Sequence, residues 1–194
     1  GQQSEKEITD YLRTEYNRVI KGNVELDEIV NRSRFRPERF RYKCKSCEKG
    51  YDVNSILSER DKFKKSHTAP FCSECGSGFE FVTVGGKRPS IGSGVEGVLW
   101  YNQFSSIPIN DSYIYMKVSD DLQRPTYINP ITGIRKRPSY VSAPTLEELA
   151  TESPDYKHYA DSIIKKAEPI YRAMGWDLKK ITIDENQTTL DEWW

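Results

Sequence analysis

The 194-residue chain sets 29 lysines and arginines against 29 acids, so no global field draws it to nucleic acid or to a membrane surface. Twelve tyrosines and four tryptophans among mostly polar residues fit a folded protein with a polar surface, and no apolar run is long enough to cross a bilayer. A chain of this length builds one sizeable domain or two small ones, and the pattern along it predicts two.

In chain order, residues 4–21 are predicted to form a helix. Ile8, Tyr11, Leu12, Tyr16, Val19 and Ile20 recur at helical spacing, Ser4 and Glu7 stand as a capping box, and Gly22 supplies the stop. Leu26, Ile29 and Val30 continue as a short apolar element. Residues 32–49 carry eight basic side chains against Glu38 and Glu48. Residues 79–84 alternate like a strand, and the Gly-, Ser- and Pro-rich run 85–97 reads as a loop or linker, the expected joint between domains. Residues 98–104 and 112–118 are β-like, and 129–133 form a turn. A short helix is expected from Thr145, whose capping box is completed by Glu148, and a longer one from Ser153 with Pro154 at its first position. On the longer helix Tyr156, Tyr159, Ile163, Ala167, Ile170, Tyr171 and Met174 line one face as far as Gly175, with a kink or restart predicted at Pro169. From Asp177 onward five acids stand against two lysines, an acidic tail.

All four cysteines fall into two C-x-x-C pairs, Cys44/Cys47 and Cys72/Cys75, with 24 residues between the pairs. Two thiolates spaced in this way present both sulfurs to one ion, and two such knuckles complete a closed tetrahedral site for structural zinc. Gly50 and Gly76 lie where tight knuckle turns favour glycine. Disulfides are the main alternative, and an iron–sulfur cluster a lesser one. His67 reads as a surface loop residue and His158 as a helix-face residue, neither a ligand.

The basic stretch leads directly into the first knuckle, so a rigid turn would present Arg36, Arg39, Arg41, Lys43 and Lys45 to backbone phosphates. Arg135, Lys136 and Arg137, beside Tyr127 and Tyr140, form a second basic group, where tyrosines can stack on unpaired bases. A solvated face is the alternative for both. Gly85, Gly86 and Lys87 are too short a run for a phosphate-cradling loop, Asp120 and Asp121 read as a surface turn, and no nucleophile constellation can be assembled.

The last eight residues, QTTLDEWW, resemble the sliding-clamp-binding (PCNA-interacting) peptide, with Gln187, Leu190, Trp193 and Trp194 at its specified positions. Leu190 and Trp193 lie i, i+3, so one helical turn puts them on one face, where buried aromatic anchors carry the energy of a small interface. The alternative is that both tryptophans tuck into the core. Two further stretches resemble the C-terminal part of family B DNA polymerases. Residues 16–30 (YNRVIKGNVELDEIV) are similar to the start of the thumb, and residues 155–176 to its later helix, which in archaeal members is followed by a clamp-binding peptide. Residues 38–47 resemble the lead-in to the first zinc module of the eukaryotic replicative enzymes.

The resemblance implies a DNA-binding part or subunit of a replicative polymerase whose partners are DNA, the sliding clamp and other polymerase subunits, in the cytoplasm of an archaeon or the nucleus of a eukaryote. The aspartate motifs of the polymerase palm are absent from the sequence, so two-metal nucleotidyl transfer is not expected of this chain alone. Other readings are a clamp-binding repair enzyme such as a nuclease, with its site in residues 86–140, and a zinc-ribbon transcription or interaction module. The chain begins at Gly1, which reads as processing or excision from a larger polypeptide. The expected fold class is α+β: an N-terminal helical element (1–31), a four-cysteine zinc ribbon (32–85), a mixed helical and β domain (98–176), and an extended tail (177–194) ending in the clamp peptide.

Overall fold

In the computed structural model, which describes residues 1–53, 72, 74–87 and 89–183, helix α1 runs over Gln2–Ile20. Its N-cap is Gly1, with no side-chain cap, so Ser4 and Glu7 lie inside the first turns and the expected capping box does not form. Glutamine and serine cost little in a first helical turn, and the backbone continues through them. The C-terminal stop is as expected. Gly22 takes φ +76°, and the Asn23 N–H reaches back to the Arg18 carbonyl at 2.9 Å, closing the helix end. Helix α2, Leu26–Ile29, follows, and Arg18 joins it through Glu28 at 3.1 Å.

The chain divides into two compact units, Val30–Pro154 and the remainder, Gly1–Ile29 with the residues from Asp155 on. In the second, α1 packs on a long C-terminal helix, Tyr156–Met174, and on a 3₁₀ turn, Leu178–Ile181. Ala167, Tyr171 and Ile181 form its buried core, closed over by Leu12, Tyr16, Ile164, Trp176 and Leu178. Thr9 Oγ1 and Tyr171 Oη share a buried hydrogen bond of 2.5 Å.

Three expectations change here. The long helix starts at Tyr156 with Asp155 as N-cap, its carboxylate accepting from the His158 N–H, because Pro154 is held in a bridge to Val118. Ile170 and Met174 are 58% and 53% exposed, so the buried stripe is narrower than the apolar one. The segment from Asp177 is no free tail at its start, since Ile181 is fully buried.

Within Val30–Pro154 the strands make two three-stranded antiparallel sheets and a hairpin. Strands β1 (Asn31–Arg34), β5 (Ser112–Lys117) and β8 (Tyr140–Ala143) pair in the order β1-β5-β8. Strands β2 (Phe40–Cys44), β3 (Gly50–Asp52) and β4 (Phe79–Thr83) pair in the order β3-β2-β4. Between β6 (Tyr127–Ile128) and β7 (Arg135–Lys136) the expected turn forms, with Asn129 Oδ1 accepting from the Ile131 N–H and Gly133 at φ +70°. Helix α3, Ser93–Phe104, lies across β8, and the one-turn helix α4, Leu146–Leu149, carries the expected Thr145 cap.

The β-like reading of residues 98–104 is therefore wrong, as is the linker reading of the last part of 85–97. Val98, Leu99, Trp100, Asn102 and Gln103 are all buried, and a helix buried on most sides shows no amphipathic period. Its polar groups supply hydrogen-bond partners to neighbouring backbone. Asn102 exchanges two hydrogen bonds with the backbone of Ile109, Gln103 does the same with Ile128, and Trp100 Nε1 donates to the Pro125 carbonyl.

The fold class is mixed α and β with small sheets, but the segmentation differs from the linear one expected. Residues 31–34 pair with β5, and the cluster of Tyr42, Val53 and Phe81 includes Ile128 from the hairpin. Phe40 stacks on Phe81 at 5.3 Å and on Phe35 at 6.0 Å, joining that cluster to the one formed by Phe35, Val98, Ile109 and Tyr113. The cysteine-bearing sheet and residues 98–154 thus share one unit.

Candidate metal centre and basic surface

The two knuckles are built alike. In the first, the Cys44 N–H donates to the Lys49 carbonyl at 2.9 Å and the Glu48 N–H to the Cys44 carbonyl at 3.2 Å; in the second, Cys72 and Ser77 pair at 2.8 Å and Gly76 and Cys72 at 2.9 Å. Each turn needs a left-handed residue four positions after its first cysteine. Gly76 fills that place at φ +73° and Glu48 at φ +63°, so Gly50 does not have the turn role expected of it. Ser46 and Cys47 also direct backbone N–H groups at Cys44 Sγ, at 3.4 and 3.5 Å.

All four sulfurs lie within 4.8 Å of one another, with Cys44 to Cys75 at 3.3 Å and Cys47 to Cys72 at 3.8 Å. Around a tetrahedral zinc with bonds of about 2.3 Å, neighbouring sulfurs stand roughly 3.8 Å apart, whereas a disulfide requires about 2.05 Å. The cysteines are free thiols at metal-site spacing. The donor set of four soft sulfurs fits zinc and leaves no open position for chemistry at the ion.

The electrostatics of the four are unequal. The Tyr51 hydroxyl, 3.2 Å from Cys72 Sγ, together with the Cys75 and Glu74 N–H groups, draws the Cys72 thiol down to about 6 against its burial. The Ser77 N–H holds Cys75 below the ordinary thiol range. The Lys49 N–H favours the Cys47 thiolate, yet the crowded Cys44, Cys72 and Cys75 sulfurs and burial push that thiol up to about 12. A cation among the sulfurs would allow all four to ionise together. Lys49 clasps the two knuckles by an ion pair with Glu74, which raises the lysine's pKa, and its ammonium lies 5.3 Å above the Tyr51 ring.

The predicted phosphate contacts separate into two groups. Arg36, Arg39 and Lys45 are exposed and carry no ion pair among the described residues. Arg41 donates to the Glu38 and Phe40 carbonyls and stands across from Asp52, while Lys43 pairs with Glu48 at 3.7 Å and stands across from Glu80. The second basic group is engaged internally. Arg135 binds the Thr126 carbonyl and hydroxyl, Lys136 pairs with Glu96 at 3.4 Å, and Arg137 pairs with Asp120 at 3.0 Å.

His158 sits in the first turn of the long helix, its ring edge-on to Tyr159. Gln187, Leu190, Trp193, Trp194 and His67 lie outside the described residues. Asp121 caps a turn to Gln123, as the sequence implied. Sequence reasoning missed Tyr51, because no spacing rule links a strand tyrosine to a sulfur 21 residues on. It also missed Arg124, whose side chain is 1% exposed and bound to Glu152 at 2.9 Å and the Ser119 carbonyl at 2.7 Å. Among the described residues, no helix is long and apolar enough to cross a membrane. Comparison with family models, curated proteins and solved structures finds no match to this chain.

Proposed function

We propose that this chain is a zinc-stabilised, DNA-binding, clamp-tethered module or subunit of a family B-like replicative DNA polymerase. One observation carries the reading: the two stretches that resemble the polymerase thumb, far apart in sequence, fall in the same compact unit but for Val30 at the end of the first, and there α1 packs on the long C-terminal helix. The cysteine-bearing unit is inserted between them in the sequence. Cys44, Cys47, Cys72 and Cys75 hold a structural zinc, forming a zinc ribbon with β2, β3 and β4. The ion cross-links the knuckles and takes no part in a reaction. Arg36, Arg39 and Lys45 contact phosphates without reading bases, and Gln187, Leu190, Trp193 and Trp194 dock on the clamp. Tethering raises the local concentration at DNA to roughly millimolar without any new DNA contact.

The test has two arms. In the first, affinity for a primer–template duplex is measured between about 50 and 200 mM salt. Changing Arg36→Ala, Arg39→Ala and Lys45→Ala together should reduce the log–log salt slope by about 2.7, since each phosphate contact contributes about 0.9. An unchanged slope removes these residues from the interface. In the second, a trimeric sliding clamp is titrated calorimetrically with the whole chain and with a version ending at Asn186. Micromolar binding that disappears with the tail supports the tether, and equal behaviour of the two versions overturns it.

A further inference from the structure

We propose that Tyr51 is a positioning residue of the metal centre, its hydroxyl donating to the Cys72 thiolate so as to fix that sulfur and strengthen metal binding. The inference rests on the zinc reading above. Strand β3 places the residue. Tyr51 stands opposite Tyr42 on β2, and side chains alternate along a strand, so it shares the face of the sheet that Tyr42 and Cys44 turn inward. The ring is held on two sides, edge-on to Phe79 at 5.2 Å and beneath the Lys49 ammonium at 5.3 Å. This leaves the hydroxyl 3.2 Å from Cys72 Sγ, within hydrogen-bond reach for sulfur.

A metal-bound thiolate carries no hydrogen, so the phenol must be the donor. Four thiolates around a divalent ion leave a net charge of −2. A donor at one sulfur disperses part of that charge and holds the sulfur in the orientation that ligates the ion. The bond also reaches across the chain: β3 follows the first knuckle, whereas Cys72 opens the second. Through Tyr51 and the Lys49–Glu74 ion pair, the element after one knuckle grips the other.

The experiment compares the whole wild-type chain with Tyr51→Phe, both loaded with cobalt(II) and then with zinc in competition with a chromophoric chelator. Phenylalanine keeps the ring and its contacts and removes only the hydroxyl. The variant is expected to bind about 10-fold or more weakly, and the sulfur-to-cobalt charge-transfer band should move to longer wavelength as the sulfur regains electron density. Gly97→Ala, which crowds α3 against β8 without touching Tyr51 or the sulfurs, should lower the melting temperature and leave the band in place. Equal affinity and an unshifted band in Tyr51→Phe overturn the assignment while the zinc reading stands. If the wild-type chain takes up neither metal, the zinc reading falls and this inference falls with it.

Discussion

At the level of single residues, Gly97 shows how closely α3 approaches the sheet. A Cβ at this position would come within 2.7 Å of both the Ser142 nitrogen and the Val141 carbonyl carbon, and would also collide with the Ser142 hydroxyl. Two of those neighbours are backbone atoms of β8, which cannot turn aside. Gly97→Ala is therefore expected to destabilise the protein by about 1–3 kcal/mol, read as a lower midpoint in urea with an unchanged slope. A midpoint equal to wild type would show that α3 can move away without loss. The same glycine explains an error of sequence reading. A run rich in Gly and Ser reads as a linker, yet Gly94 and Gly97 are there because the helix packs against Tyr113 and Ser142. Composition reports the absence of side chains and not whether that absence serves flexibility or close packing.

Among the elements, the long helix Tyr156–Met174 passes through Pro169 without interruption. Proline has no N–H, so the Lys165 carbonyl lacks its helical partner, and the exposed position lets water take that place. The intrinsic penalty against alanine is about 3 kcal/mol, reduced by roughly 1 kcal/mol because proline also restricts the unfolded chain. Pro169→Ala should thus raise stability by about 2 kcal/mol, seen as an increased melting temperature. A decrease would mean that the ring makes a contact the helix depends on. Elements with a strong local signature were legible in the sequence: α1 through its spacing and Gly22, the hairpin turn through Asn129 and Gly133, and α4 through Thr145. Helix α3 was not, because burial on most sides erased its period. Likewise, the knuckles were visible from cysteine spacing alone, whereas the Tyr51 hydroxyl reaches Cys72 only through strand pairing, which spacing does not encode.

For the molecule as a whole, chain order and spatial grouping part company. Local patterns divide the sequence into successive blocks, but α1 and the long C-terminal helix form one unit from the two ends while residues 30–154 form the other. Pairings across more than a hundred residues leave no mark on local periodicity, so the nested arrangement could not be read in advance. It has an energetic consequence. The unit formed by the chain ends contains no cysteine and has its own core of Ala167, Tyr171 and Ile181. In the inserted unit, strands β2, β3 and β4 are only three to five residues long, and the knuckles follow directly from β2 and precede β4. On the zinc reading proposed above, metal binding is coupled to folding, so removing the ion would withdraw stability from those strands first. Incubation with a strong chelator under reducing conditions should therefore speed amide exchange at Tyr42, Cys44 and Phe81 by orders of magnitude while leaving Leu12, Tyr16 and Tyr171 at their original rates. Uniform acceleration in both sets would mean that the units unfold as one cooperative body. No acceleration in either would show that the four sulfurs are held in place by the fold and need no metal.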